Sequence, residues 1–439
     1  MKKQILKKFP AEKRDLEFYR RRQLHDALIH HIIHFDGFLD FNRLVRAIRL
    51  SLDAEPYLGC RFVDKFPRPY WERRADLDKV DHCHLVYTEK VDKAIEQFLI
   101  RPITDVYNDL HNQFMVIRSN TDTLCIKTNH MLSDGHGGLE YIAILSDIYR
   151  QLKKNPDYHP HINGKGSRSL RQIANNFSLL DRLKIIRRGF KNWKSDLFPR
   201  SNWSFKYKNG DKYDRGYIIR KIEPDKLRKM KSYGKARGTS VNEVLLTAFC
   251  HALINILKPS DKMPLRIVTP VNFRKYIPSG KGESICNLAG VFQFRIEPQP
   301  GKHFDETLSI IRHRMDEYKN DYLGLGDYSY MFYELSFLPF AWVRMLNDFF
   351  LNLNHKLSPR GMPPGISNIG KISPDFYRFG DVTVKNAFLP GPVMHSPYFL
   401  PIVSTFGERI NISVGFSGAK QNRPIFENFV DVFLETIPS

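Results

Sequence analysis

Acidic residues are in short supply in this chain. Its 439 residues carry 47 Asp and Glu against 68 Lys and Arg, a formal net charge of +21. That balance favours anionic partners: nucleic acid, an anionic membrane, a phosphorylated cofactor or an acidic protein. The basic residues are spread along the chain, as on an ordinary solvated surface. No DNA or RNA module stands out, so no nucleic-acid partner is expected. Cysteine is also scarce. Cys60, Cys83, Cys125, Cys250 and Cys286 are odd in number, widely spaced and never arranged as CxxC. Such usage argues against a disulfide framework and predicts reduced thiols in a cytoplasmic protein. No apolar run follows the basic start MKKQILKKFP, so it does not read as a secretory signal. The most apolar long stretch, Tyr330 to Leu353, is interrupted by Glu334, Pro339, Arg344 and Asp348. It reads as buried or amphipathic helix, not as a transmembrane span, and leaves peripheral contact with a membrane surface open.

The remaining composition is that of a folded protein. The chain is 42% hydrophobic and 26% charged, enough apolar material for a large core, and its length exceeds what one core usually serves. Two lobes are expected. Asp40 is placed to cap a helix with Leu44, Val45, Ile48 and Leu52 at helical spacing, ended by Pro56. QFMVIRS and TLCIKTNH read as a hairpin turned at NTD. LEYIAILSDIYRQL follows with an Ile142, Leu145, Ile148 and Leu152 stripe. Residues 161–214 are rich in turn formers and then basic, and read as a crossover between a lobe at 1–160 and a lobe at 215–439. The second lobe restarts with a strand at YIIRKIE and a helix at TSVNEVLLTAFCHALINIL capped by Thr239 or Ser240. Strands alternate with helices to the end, so the fold class is α+β, mixed α/β, in two halves of similar size. No internal repeat is visible.

The chemistry concentrates in LCIKTNHMLSDGHGG, Leu124 to Gly138. Alternation puts Leu124, Ile126, Thr128 and His130 on one face of a strand and Cys125, Lys127 and Asn129 on the other. His130 continues a mostly buried face to the strand's end, where sites tend to lie. Three readings compete. As metal ligands, His130 and Asp134 would need a helix, against which Gly135, Gly137 and Gly138 argue, and no third ligand is in view. His82 and His84 would share one face of a strand, again with no ligand cluster nearby, so no metal is expected. As a phosphate cradle, the glycines lack the Lys-Ser/Thr that should follow them. In the third reading His130 is a general base on a tight turn, and Asp134 fixes that turn by pairing with a cation elsewhere. A structural histidine at a strand end stands beside these. Ser133 and His136 receive no role.

Asn129-His130-Met131-Leu132-Ser133-Asp134-Gly135 resembles the HHxxxDG signature of the chloramphenicol acetyltransferase-like superfamily, with Asn129 in place of the first histidine. The resemblance runs over nearly the whole chain. EPYLGCRF and FLIRPIT look like the family's early segments. TSVNEVLLTAFCHAL is similar to the helix that opens the second lobe, and PVNFRKYIPSGKGESICNLAG to the VNLR…GN segment. GISNIGKI and VSTFGERINISVGF look like the last core strands. The DFGWG motif of the plant members is absent, and STFGERINIS occupies its region.

This resemblance implies two lobes, each a mixed sheet flanked by helices, with a substrate channel between them and the histidine midway. It implies that His130 is the catalytic base, and that Asp134 turns away from substrate to form a bidentate pair with Arg274 across the lobes. Gly135 is then kept small by sterics. Ser404, Thr405 or a backbone N–H near Gly135 are candidates for stabilising an oxyanion, and Asn287 is a further candidate for substrate binding. The implied reaction moves an acyl group from a thioester, acyl-CoA first among them, to a hydroxyl or amine, with no cofactor beyond that donor. An acidic acyl carrier protein is a second partner compatible with the charge. A stand-alone monomer is expected. Two rivals remain: a condensation enzyme using carrier-bound substrates, and an idle scaffold of the same fold.

Overall fold

The computed structural model of the chain describes residues 5–197, 205, 207–208, 210–258, 264–297, 303–319, 322–326, 338–357 and 363–438. In the first half, β1 (Lys8–Pro10) and α1 (Lys13–Arg20) precede β2 (Leu28–Phe35), α2 (Phe41–Ala54), β3 (Cys60–Val63), β4 (Tyr70–Arg73), β5 (Cys83–Tyr87) and α3 (Val91–Ile100). The hairpin β6 (Asn112–Arg118) and β7 (Asp122–Asn129) leads to α4 (Gly135–Lys154). The crossover carries α5 (Arg171–Ala174) and α6 (Leu179–Leu197). The second half has β8 (Arg215–Ile222), α7 (Pro224–Ala236), α8 (Val241–Leu257), β9 (Leu265–Asn272), β10 (Ala289–Ile296), α9 (Phe304–Lys319) and α10 (Phe340–Leu357). It ends with β11 (Ser367–Ile372), β12 (Val384–Phe388), β13 (Val393–Met394), β14 (Ile402–Phe406), β15 (Arg409–Ser417) and α11 (Ala419–Thr436).

The architecture is α+β, as the sequence pattern predicts. One five-stranded sheet runs β12-β2-β7-β6-β5, with β5 parallel to β6 and the other pairs antiparallel. A second joins β11, β14, β15, β13 and β8, and the β9–β10 hairpin extends it through a bridge from Val268 to Gly365. The halves are not sealed units. Strand β12 crosses over from the second half to pair with β2, setting Ala387 opposite Ile33 and Phe388 opposite Ile32. Ile285, Ile372 and Phe406 likewise join the first half's core. The boundary at 214 read from composition therefore runs through shared packing.

Local signals account for most elements. Asp40 caps α2 by accepting from the Arg43 N–H at 3.0 Å, and Leu44, Ile48 and Leu52 face the core while Val45 is only partly covered. Ile142, Leu145, Ile148 and Leu152 of α4 are buried as one stripe; covering such a side chain contributes about 1.5–3 kcal/mol. Ser240, not Thr239, caps α8, in a reciprocal box with Glu243. Of the apolar stretch from Tyr330, residues 330–337 lie outside the described set; α10 follows, with Val343 buried and Trp342 and Met345 exposed. Among the described residues no single helix is long and apolar enough to cross a membrane.

Two expectations fail, and one point that alternation left open is decided, each for an identifiable reason. Gly135, Gly137 and Gly138 do not prevent a helix: they form the first turn of α4. They are small because neighbours press in. A Cβ on Gly138 would stand 2.1 Å from the His31 ring, and one on Gly137 would stand 2.7 Å from the Cys286 carbonyl oxygen. Second, β7 is covered on both faces, so Lys127 is fully buried. Its ammonium caps the C-terminal end of α3, donating to the carbonyls of Phe98 and Arg101, and burial pushes its pKa down to about 7. Third, His82 precedes β5, so it does not share a strand face with His84. Its ring bonds the Leu77 carbonyl oxygen at 2.7 Å, and His84 is exposed. Among the described residues no group of His, Cys, Asp and Glu is arranged to hold a metal ion.

Candidate active site

Strand β7 ends in a turn of defined geometry. The Asn129 side chain accepts from the Met131 N–H at 3.0 Å, and the Asn129 carbonyl accepts from Leu132 N–H at 2.9 Å. The His130 N–H donates to the Ala27 carbonyl at 2.7 Å, holding this residue beside the start of β2. Three residues separate the histidine from the helix cap. Asp134 accepts from the Gly137 N–H at 2.7 Å, which satisfies one of the free donors at the start of α4.

The Asp134 carboxylate points away from His130 into the protein. Both of its oxygens lie 2.9 Å from Nη1 of Arg274, and one also accepts from the Leu288 N–H at 2.5 Å. Arg274 sits in the short turn after β9 and is buried. Its pairing is not fork-on-fork as the resemblance implies. One nitrogen serves Asp134, Nε donates to Glu140 at 3.0 Å, and Nη2 donates to the Cys286 carbonyl at 3.1 Å. Arg274 is a hub because α4 brings a second carboxylate, Glu140, round to it. Burial alone would raise the Asp134 carboxyl, but the Arg274 cation and the Gly137 N–H hold it below its usual range. Glu140 is raised by burial despite the same arginine.

His130 is partly exposed, unlike Asp134 and Arg274. Phe18 of α1 stacks on its ring, with centroids 4.0 Å apart and planes 16° from parallel. From the second half, Nδ2 of Asn287 lies 3.0 Å from ring Nδ1 and 3.2 Å from the His130 carbonyl oxygen. The Asn287 carbonyl oxygen faces the Ala289 N–H at 3.3 Å, which sets the amide's orientation. Burial lowers the ring pKa to about 4; Asp134 and a bond to the residue's own carbonyl oppose this, while Arg14 and Arg21 add to it. The imidazole is therefore neutral at pH 7 and able to accept a proton.

The structure brings His130, Asp134, Arg274 and Asn287 together. Gly135 is beside them, where a Cβ would meet the tips of Leu389 at 3.2 Å and Ile369 at 3.5 Å. Ser404 is a step removed: it is buried on β14, with the Leu389 N–H 3.4 Å from its hydroxyl. Thr405, next along the same strand, points to the opposite face, so the two hydroxyls do not converge. Sequence reasoning missed Phe18 and Glu140. Glu140 had a readable signal, an acid six residues after Asp134 on a helix; Phe18 has none within its own segment.

No protein-family model matches the sequence, and no curated protein matches it. Solved structures do. Polyketide synthase associated protein 5 from Mycobacterium tuberculosis superimposes with a TM-score of 0.67 at 13% identity, over 98% of each chain. The first condensation domain of the CDA synthetase gives 0.69 at 14% identity, over 98% of this chain and 97% of its own. The TRI3 trichothecene 15-O-acetyltransferase from Fusarium sporotrichioides gives 0.70 at 12% identity, over 98% and 95%. These likenesses show the fold, which this chain shares with condensation domains and with that acetyltransferase.

Proposed function

We propose that this chain, built on the fold of condensation domains and of an acetyltransferase, is an acyltransferase that uses His130 as its general base. The observation that carries the reading is the contrast within one turn. The His130 imidazole is neutral and partly exposed where the two halves meet, while Asp134, four residues on, is turned inward and paired. A carboxylate so held orients the loop and does not compete for the proton. When the Asn287 N–H donates to Nδ1 the ring proton sits on Nε2; in the proposed reactive tautomer Asn287 donates to the His130 carbonyl oxygen instead, the proton is on Nδ1, and the Nε2 lone pair is the base.

The steps then balance. Nε2 takes the proton of an acceptor hydroxyl or amine as that atom attacks the thioester carbonyl. A tetrahedral oxyanion forms, and its collapse releases thiolate, which recovers the proton from the imidazolium. Positioned base catalysis contributes about 10²- to 10⁴-fold, and holding both reactants side by side adds more. The oxyanion needs a donor. Ser404 and Thr405 stay candidates, but their opposite facing lets at most one serve. Asn287 is reassigned in this reading: its contacts make it a partner of the base, not of substrate.

The proposed donor is acyl-CoA, an anionic thioester suited to a chain of charge +21. A carrier-bound thioester is the second reading, favoured by the likeness to condensation domains. Thiol release from acetyl-CoA and longer acyl-CoAs with a panel of alcohols and amines tests the first. Transfer only from acyl-loaded carrier protein selects the second. No transfer from either donor by protein that loses nothing in cells on His130→Ala would leave an idle scaffold.

A further inference from the structure

The crossover segment holds a side chain that neither the motif nor the reaction accounts for. Arg168 lies in the turn-rich stretch GKGSRS and is 3% exposed. Its Nη2 donates to the carbonyl oxygens of Met131 and Leu132, each at 3.0 Å. Its Nε donates to the Ile285 carbonyl at 3.2 Å, and Nη1 meets the Asp15 carboxylate at 2.9 Å. That Asp15 oxygen also accepts from the Trp71 indole at 2.7 Å and from the Glu12 N–H at 3.0 Å, so the anion is fixed independently.

Each of these partners stands next to a contact of the base. Met131 follows His130 directly. Asp15 is on α1, three residues before Phe18, whose ring stacks on the imidazole. Ile285 is two residues before Asn287, whose amide reaches Nδ1. We infer that Arg168 is a positioning residue for His130: one guanidinium ties the loop behind the base, the helix that covers the base's ring and the strand-end segment that bonds it. The planar fork suits this work. Four bonds leave three nitrogens in three directions, which the three rotating donors of a single ammonium cannot reproduce. Arg168 and Arg274 thus grip the turn from its two ends, through the carbonyls of Met131 and Leu132 and through the carboxylate of Asp134.

This inference rests on the proposed transferase reading for its kinetic arm only. The test compares wild type with Arg168→Lys in acyl transfer from acetyl-CoA and, separately, in the titration of His130 followed by NMR of histidine-labelled protein, with His130→Ala assigning the signal. A displacement of about 1 Å at the base costs on the order of 10²-fold in rate. The expected result for Arg168→Lys, measured well below its melting temperature, is a kcat lower by about that factor with KM unchanged, and a His130 titration moved up towards the ordinary imidazole value as water reaches the ring. The charged and titratable groups facing the ring, Asp134, Arg14, Arg21 and His25, stay as they are in that variant. A folded Arg168→Lys with wild-type kcat and an unmoved His130 titration overturns the inference. Where Arg168→Lys does not fold, Asp15→Asn decides, because the amide oxygen keeps the Trp71 and Glu12 bonds while Arg168 Nη1 loses the anion opposite it and with it the charge-assisted strength of that bond. A lower kcat with unchanged KM supports the role, and wild-type kcat overturns it. If wild type transfers no acyl group, the functional reading fails while the titration still judges Arg168.

Discussion

Two strand ends face each other in this molecule, and they are built alike. Strand β7 ends at Asn129, whose side chain accepts the N–H two residues on, at 3.0 Å. Strand β9 ends at Asn272, whose side chain does the same for Arg274 at 3.1 Å. Each asparagine turns the chain so that the next functional side chain leaves the sheet in a set direction. What the turns deliver differs. The first presents a partly exposed imidazole and a carboxylate; the second presents a buried guanidinium and, fourteen residues further, Leu288, whose N–H meets that carboxylate. Neither end is a site by itself. In the proposed reaction the His130 imidazole is aimed only when the second end neutralises Asp134.

The largest effect expected separates chemistry from scaffold at the first strand end. His130→Ala is predicted to lower kcat by about 10²- to 10⁴-fold with little change in melting temperature, since its ring fills no sealed cavity. Steady-state kinetics and calorimetry on the same preparation check this.

Breaking the pairing between the two ends comes next. Asp134→Ala leaves Arg274 buried with only Glu140 opposite, and is predicted to cost about 3–5 kcal/mol of stability together with activity. Denaturant titration measures the loss. Equal midpoints for wild type and Asp134→Ala would remove the ion pair from the account.

The two halves also differ in their histidines, and pH should expose it. The first half holds His31, His34 and His111, pushed by burial down to about 3, 4 and 4, besides His130 at about 4. Among the described residues of the second half, His395 is lowered to about 4 and His251 is also lowered. A folded pKa below the unfolded one means that the unfolded chain binds protons first. Stability is then complete above about pH 6.5 and falls as pH drops towards 4, by about 1.4 kcal/mol per pH unit for each such histidine. Melting curves at pH 7 and 5.5 should show the loss, with the environment of Trp71 in the first half changing first. A melting temperature that rises on acidification contradicts it.

The smallest effect sharpens the likeness itself. Asn129→Ala and Asn272→Ala each remove one side-chain bond to a turn N–H, and each is predicted to cost about 1 kcal/mol. If one costs several times the other, the two turns are not equivalent supports.

Much of this was legible in residue order. Alternation gave away β6 and β7, helical spacing gave away α2 and α4, and the caps at Asp40 and Ser240 marked helix starts, because these signals are carried by residues within a few positions of each other. The turn at His130 was legible for the same reason. The glycines after it misled, because helix propensity ranks glycine by its backbone freedom, whereas here the crowding of His31 and Cys286 against α4 decides. The burial of Lys127 was not legible, because alternation cannot tell a strand covered on one face from a strand covered on two.

The chain's order of residues by itself determined the α+β class, the two halves, the histidine at a strand's end and the acid that follows it. Tertiary structure alone decided which partners those residues meet. Phe18 on the ring, Asn287 at Nδ1, Glu140 sharing Arg274 and Arg168 behind the turn are brought in by packing between segments tens to more than a hundred residues apart. Short-range patterns record the local backbone preferences that build strands and helices. They hold no record of which buried donor will find which acceptor, because that choice is made by the burial of apolar surface and the cost of leaving a charge or carbonyl unpaired once the elements close on each other.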